Sequence, residues 1–176
     1  RYSRPIIDGH TLLIVISQSG ETADTIAAMK ECRALGAKTL AIVNVVGSTV
    51  AKLADSVLYT WAGPEIAVAT TKGYTTQIAV LELLAVYMAR RLGRLDEDRY
   101  RQLLRGICSL PERCQRAIDL NSQVESLAER YYQKTSLFYI GRNLDYAVAM
   151  EASLKLKEIS YVHSEAYAAG ELKHGT

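Results

Sequence analysis

With 176 residues, 49% of them hydrophobic and 23% charged, the chain has ordinary globular composition and suits one medium domain or parts of two. Its formal charge of +2, with basic residues scattered among acidic ones, argues against nucleic acid or an anionic membrane surface as a partner. The longest apolar run, around Ile78 to Ala89, contains Glu82 and is followed by Arg90 and Arg91, too short and interrupted for a span of about 20 apolar residues.

Cys32, Cys108 and Cys114 are odd in number and lack CxxC spacing, which argues against a disulfide framework or a zinc site. Each falls in a helix-like stretch, so buried or half-buried thiols in a reducing compartment are expected. Metal and redox cofactors have no visible ligands, and none is expected. The chain begins at Arg1 without a charged-then-apolar leader, and a soluble cytoplasmic protein is the expectation.

Thr11 to Ile16 (TLLIVI) is a continuous, β-branched apolar run, which predicts a strand buried on both faces. The polar turn Ser17-Gln18-Ser19-Gly20-Glu21 follows. A helical pattern runs from about Thr22 to Leu35, with Ile26, Met29 and Ala34 in apolar positions and Gly36 as the stop. Thr39 to Val43 predicts a second strand, Thr49 to Ala54 a short helix, and Ser56 to Thr60 a third strand. Strands and helices alternating at such short intervals imply a parallel sheet with right-handed crossovers, a doubly wound α/β core.

Beyond Gly63-Pro64 the pattern turns helical. Lys72 to Leu92 predicts one long helix, and Asp96 to Asp119 a second that breaks or bends near Pro111. Asn121 reads as the N-cap of a third, ending near Gln133. Ser136 to Ile140 (SLFYI) is again a strand, followed by Gly141-Arg142-Asn143 and a helix from about Leu144 to Ser160. The α/β signature thus starts twice. The reading is two truncated α/β units, residues 1–133 with a helical bridge and 134–176 as the opening of the second, with both chain ends as cuts.

The turn after the first strand joins a buried strand to a helix start. Ligands of open α/β sheets bind at the carboxyl ends of strands, and a helix start offers N–H groups and a positive dipole end to an anion. Ser17, Ser19 and Thr22 add hydroxyl donors, and Gly20 allows close backbone approach. Without the Lys of a nucleotide P-loop, a sugar monophosphate suits the turn better than a nucleoside triphosphate. A plain helix cap by Ser19 or Thr22 fits the same spacing. In the second half, Glu151, Lys155 and Glu158 fall on one helix face through i,i+4 and i,i+3 spacing. A carboxylate beside an ammonium can move a proton between adjacent carbons while the cation steadies charge on oxygen, but a surface ion pair has the same spacing.

Ser17 to Thr25 (SQSGETADT) closely resembles the phosphate loop of sugar isomerase (SIS) domains, as found in the glutamine–fructose-6-phosphate aminotransferases that make glucosamine 6-phosphate. Glu65 to Lys72 (EIAVATTK) is similar to their substrate-lining segment, and Leu154 to Gly175 (LKLKEISYVHSEAYAAGELKHG) to their catalytic stretch. The resemblance implies that Ser17, Gln18, Ser19 and Thr22 hold the 6-phosphate of fructose 6-phosphate. Val68 and Thr70 would line the sugar, with Glu65 beside them, Thr70 standing where the family usually has Ser. It further implies Glu158 as the base between C1 and C2, Lys155 as its assistant, and His174 as the ring-opening group, reaching into a neighbouring subunit of a homodimer. Imidazole, with an ordinary pKa near 6.5, suits that work; His163 and Glu165 read as structural.

The family's glutaminase domain, its Ser-bearing loop and its lysine-bearing C-terminal tail have no counterpart in these residues, so the chain is expected to be inactive alone. Other SIS enzymes, such as a deglycase or an ammonia-using isomerase, and a non-catalytic sugar-phosphate sensor are the alternatives; the sensor has no use for Lys155, Glu158 and His174 together.

Overall fold

The structure, a computed structural model, describes residues 6–175. They fall into two compact units, one reaching to Glu65 and resuming over Thr71–Cys108, the other made of Ile66–Thr70 and the residues from Ser109 onward.

The first unit runs β1 (Leu12–Ser17), α1 (Ala23–Ala34), β2 (Lys38–Val43), α2 (Thr49–Leu53), β3 (Ser56–Tyr59), α3 (Lys72–Arg91) and α4 (Glu97–Cys108). The strands form a parallel sheet in the order β1-β2-β3, with Leu12 opposite Lys38 and Ser17 opposite Val43. The central strand buries every residue but Lys38, as its unbroken apolar run requires. Around it, Val15, Met29, Ala41, Val43, Val50 and Ala51 form the core.

One polar clamp sits beside that core. Asp55 Oδ2 accepts from the Thr39 amide and hydroxyl, both at 2.8 Å, and the Asp55 amide donates back to Thr39 Oγ1 at 3.0 Å. The start of β2 is thereby tied to the turn into β3. The two Thr39 bonds hold the Asp55 carboxyl below its ordinary value of 3.8, with Arg33 and Lys38 helping. At the far end of the unit, the Arg90 guanidinium braces the α3–α4 corner. It donates to Leu95 O at 3.3 Å and Glu97 Oε2 at 2.6 Å, and lies 5.4 Å from the Tyr100 ring centre.

The second unit holds α5 (Leu110–Ile118), α6 (Asn121–Tyr131), β4 (Ser136–Gly141), α7 (Leu144–Ser160), β5 (His163–Ala168) and a 3-10 turn (Leu172–His174). β4 and β5 pair in parallel with α7 as the crossover, from Ser136 opposite His163 to Gly141 opposite Ala168. Ser153 on α7 and Ser164 on β5 face each other, their hydroxyls 3.0 Å apart, and Ser164 also donates to Ser153 O at 2.9 Å. Both hydroxyls are buried, and each is satisfied by the other.

The α/β expectation, with parallel strands and crossover helices, therefore holds. Several local expectations do not. β1 is not buried on both faces, because Leu12, Ile14 and Ile16 alternate outward while Val15 and Ser17 are buried. On α1 the buried pair is Met29 and Cys32, one turn apart, and Ala34 is exposed. The helix expected over Asp96 to Asp119 does break near Pro111, at Ser109, and Pro111 itself sits in the first turn of α5 where its missing N–H costs nothing. Asn121 is not a cap; Leu120 holds that position and Asn121 begins the helix. Cys32 is buried as expected, whereas Cys108 and Cys114 are exposed. β5 was not expected at all, because HSEAYA lacks an apolar run; its small residues Ser164, Ala166 and Ala168 alternate against His163, Glu165 and Tyr167.

Met29 has no exposed surface, so Met29→Ala is expected to destabilise the protein by about 2–5 kcal/mol, read as a lower urea midpoint with an unchanged slope. Asp55 has its pKa depressed on folding, so its contribution is present above about pH 4 and is lost as pH falls through the folded value. Asp55→Asn should lower the melting temperature at pH 7 and flatten the acid limb of stability against pH; an unchanged acid limb would show that the Thr39 clamp carries none of it.

Candidate functional site

The first group of candidate residues lies at the carboxyl end of β1. Ser17 ends the strand, is buried, and its Oγ accepts from the Gly20 amide at 2.9 Å. The Ser17 and Thr22 hydroxyls are 3.5 Å apart. Gln18 and Ser19 are half-buried in the turn, and Ser19 Oγ accepts from the Glu21 amide at 3.2 Å. Thr22 occupies the N-cap of α1, yet no side chain caps that helix. The plain capping role open to Ser19 and Thr22 is therefore not what the hydroxyls do. They ring the positive end of α1 instead of closing it, the arrangement that favours an anion.

Gly20 makes the turn possible. Its φ is +69°, a left-handed conformation that side chains disfavour, and an added Cβ would stand 2.2 Å from Ser48 Oγ. The β2–α2 loop and the start of α2 fasten the turn in three places. Gly20 O accepts from the Val50 amide at 3.0 Å, and Gln18 O from the Asn44 amide at 3.2 Å. The Glu21 carboxylate accepts from the Thr49 amide at 2.8 Å and the Thr49 hydroxyl at 2.7 Å. These two bonds keep the Glu21 carboxyl below its ordinary value of 4.5, with Lys52 adding to the effect. The carboxylate is thus engaged by α2 although it belongs to the turn. Beside it, Ser48 Oγ is buried with no hydrogen-bond partner among the described residues.

Glu65 is half-buried in the same unit, and its Oε2 accepts from the Gly73 amide at the start of α3, 3.2 Å away. Val68 and Thr70 belong to the Ile66–Thr70 segment of the second unit, Val68 exposed and Thr70 half-buried.

The second group lies on α7. Lys155 Nζ is 2.6 Å from Glu158 Oε2 and 3.5 Å from Glu151 Oε1, so the shared face read from spacing is real. The side chains of Lys155 and Glu158 are only 19% and 29% exposed, which separates them from a fully solvated surface pair. The Glu158 hydrogen bond, with the Glu151 charge, holds the Lys155 ammonium above its ordinary value of 10.5. The pair can therefore offer a carboxylate and a permanent cation side by side. Upstream, Gly141 lets α7 approach β4 closely, since a Cβ there would meet the Asp145 backbone at 2.4 Å. His174 lies exposed in the 3-10 turn, its Nε2 3.9 Å from Glu171 Oε2. Glu165 accepts a short hydrogen bond from Tyr167 OH and lies 3.5 Å from His163 Nε2.

Sequence reasoning missed Asn44, Ser48 and Thr49. Their signal was position: all follow the carboxyl end of β2, level with the turn after β1. Among the described residues no group of three or more His, Cys, Asp and Glu could hold a metal ion, and no helix is long and apolar enough to cross a membrane.

Comparison with known proteins gives the frame for this geometry. The glutamine–fructose-6-phosphate aminotransferase (isomerizing) of Symbiobacterium thermophilum is 57% identical over 175 residues, 99% of this chain and 29% of the relative. That of Caldanaerobacter subterraneus subsp. tengcongensis is 56% identical over the whole chain, again 29% of its own length. The chain thus spans under a third of the curated relatives it matches. Among solved structures, the C-terminal domain of glucosamine-fructose-6-phosphate aminotransferase from Francisella tularensis superimposes with a TM-score of 0.94 at 35% identity, over 99% of this chain and 49% of that one. The SIS domain model matches residues 1–87 and 130–176, which include the turn after β1 and all of α7, and on that match the chain belongs to the SIS domain family.

Proposed function

We propose that this chain is part of the isomerase half of a glutamine–fructose-6-phosphate aminotransferase, converting fructose 6-phosphate to glucosamine 6-phosphate with ammonia from glutamine. The observation that carries the reading is the Lys155–Glu158 contact of 2.6 Å, on a helix of a chain 57% identical to such an enzyme. A sugar-phosphate sensor would need the anion-binding turn but not this pair. In the proposed mechanism Ser17, Gln18, Ser19 and Thr22 hold the 6-phosphate against the start of α1. Glu65, Val68 and Thr70 line the sugar. Glu158 takes the proton from one carbon and returns it to the next, while the Lys155 cation steadies the negative charge that develops on oxygen. His174 opens the sugar ring.

Residues 1–133 and 134–176 are two truncated SIS units joined by a helical bridge. A glutaminase domain elsewhere in the polypeptide supplies ammonia, and a homodimer lets His174 serve the neighbouring subunit. The protein works in the cytoplasm, and the chemistry calls for no cofactor. The 176 residues alone are expected not to turn over.

In the natural full-length protein, Glu158→Gln should lower kcat for glucosamine 6-phosphate formation by about 10²–10⁴-fold while calorimetric binding of fructose 6-phosphate persists. Unchanged turnover would remove Glu158 from the chemistry. Ser19→Ala should weaken fructose 6-phosphate binding by about 10-fold or more, as expected for a lost hydrogen bond to a charged group; equal binding would sink the phosphate assignment.

A further inference from the structure

We infer that Asn44 is a positioning residue that fixes the Thr60–Glu65 segment against the turn after β1, so that the site recognises a phosphosugar as a whole rather than its phosphate alone. The inference rests on the phosphate-loop reading above.

Asn44 follows the end of β2 and is half-buried. Its backbone amide donates to Gln18 O in the turn at 3.2 Å. Its side chain is committed in the opposite direction. Oδ1 accepts from Thr60 Oγ1 at 3.1 Å and from the Ala62 amide at 2.8 Å, while Nδ2 donates to Gly63 O at 2.7 Å. The partners fix the orientation of the amide, because a flip would set N–H against N–H and oxygen against oxygen. One residue therefore ties the phosphate-binding turn to the chain leading into Glu65.

Trp61 shows how firmly that segment is held. It adopts φ +52°, a conformation uncommon for a residue with a side chain, and it is 76% exposed, its ring in tilted contact with that of Tyr59 at 5.7 Å between centroids. Such a conformation persists when its surroundings over-determine it. Here Asn44 Oδ1 grips the residues on both sides, Thr60 and Ala62. The far end is anchored too, by the Gly73 amide on the Glu65 carboxylate at 3.2 Å. With Asn44 at one end and Gly73 at the other, the segment has little slack.

The consequence is a selective one. Removing the Asn44 side chain leaves its backbone bond to Gln18, and with it the turn, but releases Thr60–Glu65. The neutral change Asn44→Ala adds no charge near the anion, so the turn's own attraction for phosphate is undisturbed. The experiment is binding of fructose 6-phosphate and of inorganic phosphate to the natural full-length protein, wild type against Asn44→Ala and Thr60→Val, with melting temperatures alongside. Asn44→Ala is expected to weaken fructose 6-phosphate binding about tenfold, the scale of one or two lost hydrogen bonds, and to change phosphate binding by less than about twofold. Thr60→Val, which deletes one of the Oδ1 donors at nearly constant volume, should show a smaller loss of the same selective kind. Equal weakening of both ligands, or of neither, overturns the inference while leaving the phosphate loop standing. Wild-type protein that binds neither ligand overturns the phosphate-loop reading and the inference with it. If Asn44→Ala does not fold, Thr60→Val decides: selective loss upholds the role, and unchanged selectivity ends it.

Discussion

The parallel register of β1 on β2 is the constraint from which the first unit follows. Leu12 stands opposite Lys38 and Ser17 opposite Val43, so both strands end at one level. Beyond that level the ladder stops, and the next backbone groups must find partners among the loops. They find one another. Gln18 O takes the Asn44 amide, Gly20 O takes the Val50 amide, and the Glu21 carboxylate closes on Thr49. A slip by one residue would turn Val15 and Ser17 outward and also unpair the two loops.

The second unit meets the same geometric demand in a different way. Its parallel pair, β4 and β5, also ends level, Gly141 opposite Ala168. Only Arg142 and Asn143 separate Gly141 from the first residue of α7, so the helix must start almost on top of the strand. The close passage of Asp145 over Gly141 makes that possible. α7 then carries Ser153 toward the buried hydroxyl of Ser164, while Lys155 and Glu158 lie on a less enclosed side. Structural and chemical duties are divided between faces of one helix.

Much of this was legible in the residues because each element carried a strong local signal. The unbroken run of β2, the length of α3 and the SLFYI strand before a helix are such signals, and the turn SQSGET announced itself by its hydroxyls and its glycine. Periodicity could not tell how far β1 is covered, since TLLIVI reads as a doubly buried strand whether or not its outer face meets anything. β5 was hidden because its inward residues are small: Ser164 is buried by fit to Ser153 rather than by hydrophobicity. Asn44 was invisible for another reason. An asparagine after a strand is an ordinary loop residue until its partners are known, and those partners lie sixteen or more positions downstream.

The two glycines differ in what could ever compensate for their loss. At Gly20 the obstacle to a side chain is Ser48, whose Oγ and Cβ would stand 2.2 and 2.6 Å away, so a glycine at 48 would remove both and leave the conformational penalty of φ +69°. At Gly141 the obstacle is the backbone of Asp145 and Tyr146, which no substitution removes. Replacement of Gly20 therefore has a second-site suppressor within reach of a single further mutation, whereas replacement of Gly141 has none. Over evolutionary time position 20 can drift together with position 48, while position 141 must stay as it is for as long as α7 begins where it does.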